Sequence, residues 1–348
     1  MGNGGIIILI NGILLYFNCF CIHKGKSMKY HFIINPVAGK QDSSKTLVPE
    51  IKRAAAACGI TEDQVEIQLT NRPSHAHYLA LEAAKKAEEA GEEIWIFAAG
   101  GDGTFNEVLT GAMNYKKAAV GLLPYGSGND FLRSFGVREE FCNVEDQLRG
   151  GAKTIDMIKT QREYAAAICS AGLDAKVAYG IPKFRRIPLC GGSMAYKLSI
   201  LEVLLGKKAT KLHINIDGKE FERSCLLVAV CNGHAYGGGF MAAPESKLDD
   251  GVLDVMVVRE ISLPKIATVL PKYQAGKHFK DGEIVPELKD IVEYFPAQSV
   301  KIHPVDPNQD MIVNVDGECG PDKTLSAEIV PLSARIILPG KVFARQEK

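Results

Sequence analysis

The sequence predicts an N-terminal doubly wound parallel α/β domain followed by a C-terminal antiparallel β-sandwich. Three observations carry this. Up to Gly150, β-type apolar runs alternate with helix-type segments through short connections, the pattern of a parallel sheet covered on both faces. Beyond Gly150-Gly151 the apolar runs become β-rich and are separated by turn signals such as Asp217-Gly218. A length of 348 residues favours two domains over one. The expected divisions are an apolar extension over 1–27, the α/β domain over 28–150, the sandwich over 151–325, and a C-terminal segment over 326–348 whose last strand fits either domain.

In the first half, Tyr30 to Ile34 reads as a strand that Pro36 stops and Gly39 turns. Ser43 or Ser44 caps a helix running to Cys58, and Gly59 ends it. Val65 to Leu69 is a second strand, Ala76 to Ala90 an alanine-rich helix stopped by Gly91. A third strand from Ile94 breaks into Gly100-Gly101-Asp102-Gly103-Thr104 and restarts as a helix through Val108, Leu109 and Met113. Val120 to Pro124 is a fourth strand, ending in Tyr125-Gly126-Ser127-Gly128-Asn129-Asp130, with a further helix expected from Phe131. In the second half the strand candidates are 154–158, 164–170, 211–216, 220–230, 252–258, 300–302, 311–315 and 334–338. Ser193 to Leu205 and Pro264 to Tyr273 have helix-like character.

The stretch after the third strand carries the chemistry. Glycines bend the chain sharply and leave N–H groups uncovered at a helix start, a place that attracts phosphate. Asp102 would repel phosphate unless a cation intervenes, so it reads as meeting Mg²⁺ on a nucleotide, directly or through water. The plainer reading is a glycine-rich turn with Asp and Thr capping the helix. Right-handed crossovers bring Asn35–Lys40, Thr70, Gly100–Asn106 and Gly126–Asp130 to one sheet edge, where ligands bind in such folds. Their coincidence points to a nucleotide-phosphate cradle. Further on, Asp316-Gly317-Glu318 ends a strand with two carboxylates, a base for an attacking alcohol or merely a hairpin turn. Glu245-Ser246-Lys247-Leu248-Asp249-Asp250-Gly251 is a cation loop using Asp250 and nearby carbonyls, or a solvated turn. His234 reads as a loop-packing histidine, and Lys183, Arg185 and Arg186 as a solvated loop before a core helix, or a contact to an anionic membrane.

Composition narrows the field. Lys plus Arg and Asp plus Glu are 41 each, so no bulk field recruits nucleic acid. Nine scattered cysteines without zinc spacing suit reduced thiols in the cytosol. The apolar run within 5–22 is near the short limit for a membrane span and lacks a signal peptide's basic start. It reads as an anchor, as an added helix, or, preferred here, as an extension upstream of a true start at Met28.

Taken together, these motifs resemble the diacylglycerol kinase catalytic-domain family, in its bacterial lipid kinase branch of YegS-like and DgkB-like enzymes. The likeness runs from Met28 to the C-terminus. Asn35-Pro36-Val37-Ala38-Gly39-Lys40 matches the family's Asn-Pro-x-Ser/Ala-Gly-Lys/Arg. Gly100 to Glu107 matches Gly-Gly-Asp-Gly-Thr-x-Asn-Glu throughout, and Leu123 to Phe131 matches Leu-Pro-x-Gly-Thr-x-Asn-Asp-Phe with Ser127 for threonine. The resemblance implies an NAD-kinase/diacylglycerol-kinase-like fold and ATP- and Mg²⁺-dependent phosphorylation of a lipid hydroxyl, diacylglycerol or a relative. The ATP site would comprise Asn35, Pro36, Val37, Ala38, Gly39, Lys40, Thr70, Gly100, Gly101, Asp102, Gly103, Thr104, Asn106, Ser127, Asn129 and Asp130. Glu318 corresponds to the general base, with Asp102 and Asp316 beside it, and Lys247, Asp250 and Val252 to magnesium positions, partly through backbone oxygens. Asp156 matches a catalytic-centre Ile-Asp element, although Ile158 stands where that element has glycine. Implied too are a lipid partner at a membrane surface and a cytoplasmic, peripherally membrane-associated enzyme; homodimerisation stays open. The alternatives are an NAD kinase-like enzyme, which shares Gly-Gly-Asp-Gly, and a non-catalytic nucleotide-binding membrane adaptor.

Overall fold

A computed structural model of the chain describes residues 6–10, 13–17, 28–39, 41–126, 128–187, 192–206 and 209–347. Four parallel strands form the N-terminal sheet in the spatial order Val65–Leu69, Met28–Ile34, Glu93–Gly100, Ala118–Pro124. The order reverses between Met28–Ile34 and Glu93–Gly100, which opens a crevice beyond their carboxyl ends. The two strands Glu93–Gly100 and Ala118–Pro124 are largely buried on both faces and read as continuous apolar runs, whereas the edge strand Val65–Leu69 alternates with Glu66 and Gln68. On one face Phe32, Ile34, Phe97 and Leu123 pack against Leu47 and Ile51 of the Ser44–Ala57 helix and Val144 of the short Val144–Leu148 helix. On the other, Ile33 and Ile96 meet the His75–Ala90 and Asp102–Ala112 helices through Ala80, Ala84, Phe105 and Leu109. Small residues set the spacing between those two helices: a Cβ at Gly111 would lie 2.4 Å from the His77 carbonyl oxygen.

The second half is a β-sandwich of antiparallel strands. Its interior is a branched-chain core that includes Ile214, Val228, Val230, Val255, Val257, Ile302 and Val313. Three helices, Leu173–Arg185, Gly192–Leu205 and Leu263–Gln274, lie beside it. The long Leu325–Leu338 strand joins the two halves. It begins antiparallel to Ser299–Pro304 and ends with Ile336 and Ile337 parallel to Val120 and Gly121. Gly151–Thr160 pairs with it along both arms, across a bulge between Val330 and Ala334.

Several expectations need correction. No α-helix starts at Phe131: a 3₁₀ turn covers Asp130–Ser134, a second Arg138–Phe141, and the helix follows only at Val144. Lys183, Arg185 and Arg186 are not in a solvated loop, since the first two end the Leu173–Arg185 helix and Arg186 caps it. In the apolar N-terminal run, Ile6–Ile10 and Ile13–Phe17 pair as an antiparallel hairpin, so the added helix does not form. The rest of 1–27 lies outside the described residues. Among the described residues no helix is long and apolar enough to cross a membrane.

Candidate active site

The Glu93–Gly100 and Ala118–Pro124 strands each deliver their chain to the crevice through a glycine whose place a larger residue would crowd. A Cβ at Gly100 would sit 2.5 Å from Thr104 Oγ1, and one at Gly126 only 2.3 Å from Gly101 Cα. The two loops therefore touch backbone to backbone. Gly39 has φ +82°, and a Cβ there would lie 2.5 Å from the Tyr125 carbonyl oxygen, so the first loop leans on the same place. Asn35 Nδ2 donates to Thr104 Oγ1 at 3.0 Å and Asn35 Oδ1 accepts from Val37 N–H at 3.2 Å. Thr70 N–H donates to the Ile34 carbonyl at 2.9 Å, which sets it on the same edge. Above this floor the surface is open: nothing lies within 4 Å of a Cβ built on Gly103, and Val37 is 86% exposed. The first turn of the 11-residue Asp102–Ala112 helix opens here with N–H groups that have no partner inside the helix. Lys40 and Ser127 lie outside the described residues.

Asp102 braces the cradle as well as charging it. Its Oδ2 accepts from Asn129 N–H at 2.6 Å and its Oδ1 faces Phe131 N–H at 3.5 Å. Burial and the neighbouring Asp130 carboxylate raise its pKa. Asn129 takes a left-handed conformation, φ 57°, and donates through Nδ2 to the Gly100 carbonyl at 3.1 Å. Asp130 accepts from Gly238 N–H at 2.6 Å and pairs with Arg133 at 3.1 Å, tying the loop to the second half of the chain. Phe131 packs against Phe105 with ring centroids 4.7 Å apart and the planes tilted by 33°. Asn106 is buried, with its Nδ2 directed to the Tyr164 carbonyl rather than to the open edge.

The Asp-Gly-Glu run is a two-residue hairpin turn with φ 42° at Asp316 and 98° at Gly317, joining Met311–Val315 to Glu318–Asp322. The hairpin reading holds, and the turn aims Asp316 inward. Its carboxylate accepts from the N–H groups of Ala166 (2.6 Å), Ala167 (3.1 Å) and Ile168 (2.8 Å). Burial outweighs those bonds and pushes its pKa up to about 6. Asp102, Asp130 and Asp316 line the polar end of one cavity of about 780 Å³. Its other end is mostly apolar, walled by Val177, Ile181, Ile200, Leu204, Ile266 and Leu270 of the three helices, with Asp174 and Arg185 of the first helix also lining the cavity. Glu318 is exposed and not on that wall; its nearest charged neighbours include Glu163, whose pKa burial and then Glu318 raise.

The Lys247–Gly251 loop is held from beneath by Asp156, which is fully buried. Asp156 Oδ2 accepts from Gly251 N–H and Oδ1 from Leu332 N–H, both at 2.7 Å. The Asp156 N–H donates to the Leu248 carbonyl at 2.6 Å. Within the loop Asp250 Oδ1 accepts from Val252 N–H at 3.1 Å, and Asp249 pairs with Lys153 at 3.0 Å. Among the described residues no group of three or more His, Cys, Asp or Glu side chains is arranged to hold a metal. What the loop presents to a cation is one carboxylate, that of Asp250, beside its backbone carbonyls. His234 packs its loop, with Nε2 2.8 Å from the Ser246 carbonyl.

Residues 29–160 match the diacylglycerol kinase catalytic domain family, and residues 167–338 match the YegS C-terminal NAD kinase beta sandwich-like domain. A diacylglycerol kinase of Bacillus subtilis (strain 168) is 31% identical over 293 residues, 83% of this chain and 89% of that protein. This chain belongs to the diacylglycerol kinase family. It is a lipid kinase. A diacylglycerol kinase of Staphylococcus haemolyticus is 28% identical over 290 residues, 83% of this chain and 81% of the relative. A crystal structure of a putative diacylglycerol kinase from Bacillus anthracis superposes with TM-score 0.66 at 25% identity, covering 89% of this chain and 96% of its own. A second Bacillus anthracis structure shares the fold, with TM-score 0.65 at 22% identity. Within this kinase, two groups near the cavity were silent in the sequence. Asp174, next to Leu173, looks like any acidic residue in a helix's first turn. Tyr236 and Tyr273 sit in segments with no motif, and only the tertiary fold brings the three onto one wall.

Proposed function

We propose that this lipid kinase transfers the γ-phosphoryl group of ATP, with Mg²⁺, to the hydroxyl of diacylglycerol or a closely related lipid at a membrane surface. One observation carries the reading: a glycine-floored cradle at the sheet's switch point opens on a cavity that is carboxylate-lined at the near end and apolar at the far end. ATP with its metal supplies the transferable group and neutralises its charge. The Asn35–Lys40 segment, Thr70, the Gly100–Thr104 turn and the 126–130 loop, Ser127 included, would hold the nucleotide; Lys247, Asp250 and Val252 would hold a cation. Asp102 fixes the mouth between the two loops. Asp316 locks the turn to Ala166–Ile168, and Glu318, exposed two residues on, accepts the acceptor hydroxyl's proton. The helix-walled end takes the acyl chains. A dinucleotide acceptor has no use for that apolar wall, which favours a lipid over NAD. Such an acceptor puts the enzyme against the cytoplasmic face of a membrane without spanning it.

The test is transfer of label from ATP to dioctanoylglycerol in mixed micelles. Asp102→Ala should lower turnover by roughly 10²–10³-fold, as loss of one preorganised electrostatic group does, with the circular dichroism spectrum unchanged. Turnover near wild type in that variant refutes the cradle.

A further inference from the structure

The cavity contains buried hydrogen-bonding groups that complete no bond of normal geometry. Tyr273, on the Leu263–Gln274 helix, is 4% exposed, and its hydroxyl completes no bond of normal geometry, although the Tyr236 hydroxyl faces it. Its ring is held against His278, centroids 4.4 Å apart, so the hydroxyl is fixed rather than free to swing to water. His278 is itself anchored by Nε2, 3.0 Å from the Ala242 carbonyl. Beside Tyr273 lie Tyr236 and Asp174, on the same cavity wall. Both Asp174 oxygens are sealed from solvent and complete no bond of normal geometry, although the hydroxyls of Ser170 and Tyr236 face them. The Tyr236 phenol is driven up by burial first and by Asp174 second, whereas burial raises the Asp174 carboxyl and the Tyr236 hydroxyl pulls it back down. The Tyr236 hydrogen therefore stays on oxygen and is drawn toward Asp174.

Buried polar groups are nearly always satisfied, and a fixed donor left open in a cavity awaits an acceptor. The occupant of this end is apolar, so its acceptor must be a neutral oxygen within a hydrocarbon body. An ester carbonyl is such an oxygen; an ether oxygen is a much poorer one, and a hydrocarbon offers none. Ser170 Oγ is also 3.3 Å from Asn314 Nδ2, and Asn314 Oδ1 accepts from Gly317 N–H at 2.8 Å. Polar contacts thus run from Asp174's surroundings to the Asp316–Glu318 turn, and a lipid caught at Tyr273 is held in fixed relation to that turn.

We propose that Tyr273, oriented beside Tyr236 and Asp174, is a specificity-determining residue that donates its hydroxyl hydrogen to an ester carbonyl of the acceptor, so that the kinase selects ester-linked glycerolipids over ether-linked ones. This rests on the reading of the cavity as the acceptor site. The experiment compares dioctanoylglycerol with its dialkyl ether analogue, which keeps the hydroxyl and chain lengths and lacks both carbonyls. Wild type should show a KM for the ester about tenfold below that for the ether, the value of one hydrogen bond with a buried partner. Tyr273→Phe should raise the ester KM by the same factor, leave the ether KM and the ATP KM unchanged, and melt close to wild type, since the hydroxyl it deletes completes no bond of normal geometry. Asp174→Asn should reduce the ester preference only in part. An unchanged ester-to-ether ratio in Tyr273→Phe, or an equal rise for both lipids, overturns the proposal, as does a wild type that uses both alike. A wild type that phosphorylates neither lipid overturns the reading of the cavity itself, and this proposal with it.

Discussion

Asp156→Ala tests how the second half of the chain holds its acidic loop. The side chain is fully buried and its two oxygens take one N–H each, from Gly251 and Leu332, at 2.7 Å. Leu332 carries φ 47° in the bulge of the Leu325–Leu338 strand, a conformation that a leucine adopts only when something outside it holds the backbone. A hydrogen bond to a charged group contributes about 1.5–3 kcal/mol, and truncation leaves both donors without a partner. Removing a buried carboxylate also recovers its desolvation cost, so the net loss should be about 3–5 kcal/mol. That is a large part of the roughly 5–15 kcal/mol that folds a protein of ordinary stability. Asp156→Asn keeps one acceptor and sets an amide donor against the other N–H, so about half of that loss is expected. Urea unfolding followed by circular dichroism gives the magnitude. Fluorescence of the single tryptophan, Trp95 in the Glu93–Gly100 strand, shows whether the N-terminal sheet unfolds in the same transition. A variant within about 1 kcal/mol of wild type, below the contribution of even one charged hydrogen bond, would mean that Gly251 and Leu332 find other acceptors and that no clamp exists.

Three further outcomes are expected. Gly126→Ala should abolish nucleotide binding, measured by calorimetric titration with ATP, because its Cβ would lie 2.3 Å from Gly101 Cα and force the loops apart; normal ATP affinity would contradict the contact. Glu318→Gln should keep ATP affinity and lose most turnover in the label-transfer assay, whereas equal loss of both would make it a binding residue. Asp316 has a folded pKa of about 6, above the roughly 3.9 of an unfolded aspartate. The native state therefore binds the extra proton, and this group's stabilisation is complete below the lower value and falls as pH rises through the window to the upper one. Melting temperatures of Asp316→Asn against wild type over that window should lack this decline; parallel curves would refute it.

Much of the fold was open to reading because its signals are local. Val65–Leu69 is bounded as the residue pattern suggests, and Gly91 ends its helix with φ 74°. The glycine motif could be placed at the sheet edge since alternation alone fixes which strand ends meet there. What stayed hidden depends on distant partners. The Leu173–Arg185 helix follows its strand with no turn between and contains Gly180 and Pro182, which argue against a helix. Gly180 is there because a Cβ would come within 2.4 Å of Ser199 Oγ on the neighbouring helix. Val292–Ala297 carries Pro296, which demotes a strand in sequence but is tolerated where, among the described residues, it pairs with Leu253–Arg259 alone. Asp156 could be matched to a motif, yet its clamp joins residues 95 and 176 positions away.

The passage of Leu325–Leu338 through both sheets has a consequence for the order of assembly. Every residue of Ala118–Pro124 is buried, and one of its two hydrogen-bonding edges is closed only by Ile336 and Ile337. During synthesis that edge emerges more than two hundred residues before its partner. The nascent N-terminal layer must spend this interval with an apolar, unpaired border, the kind that invites association between chains. Maturation of the first domain is thus timed by the arrival of the last strand, and a ribosome that stalls in between leaves a product prone to aggregate rather than half an enzyme.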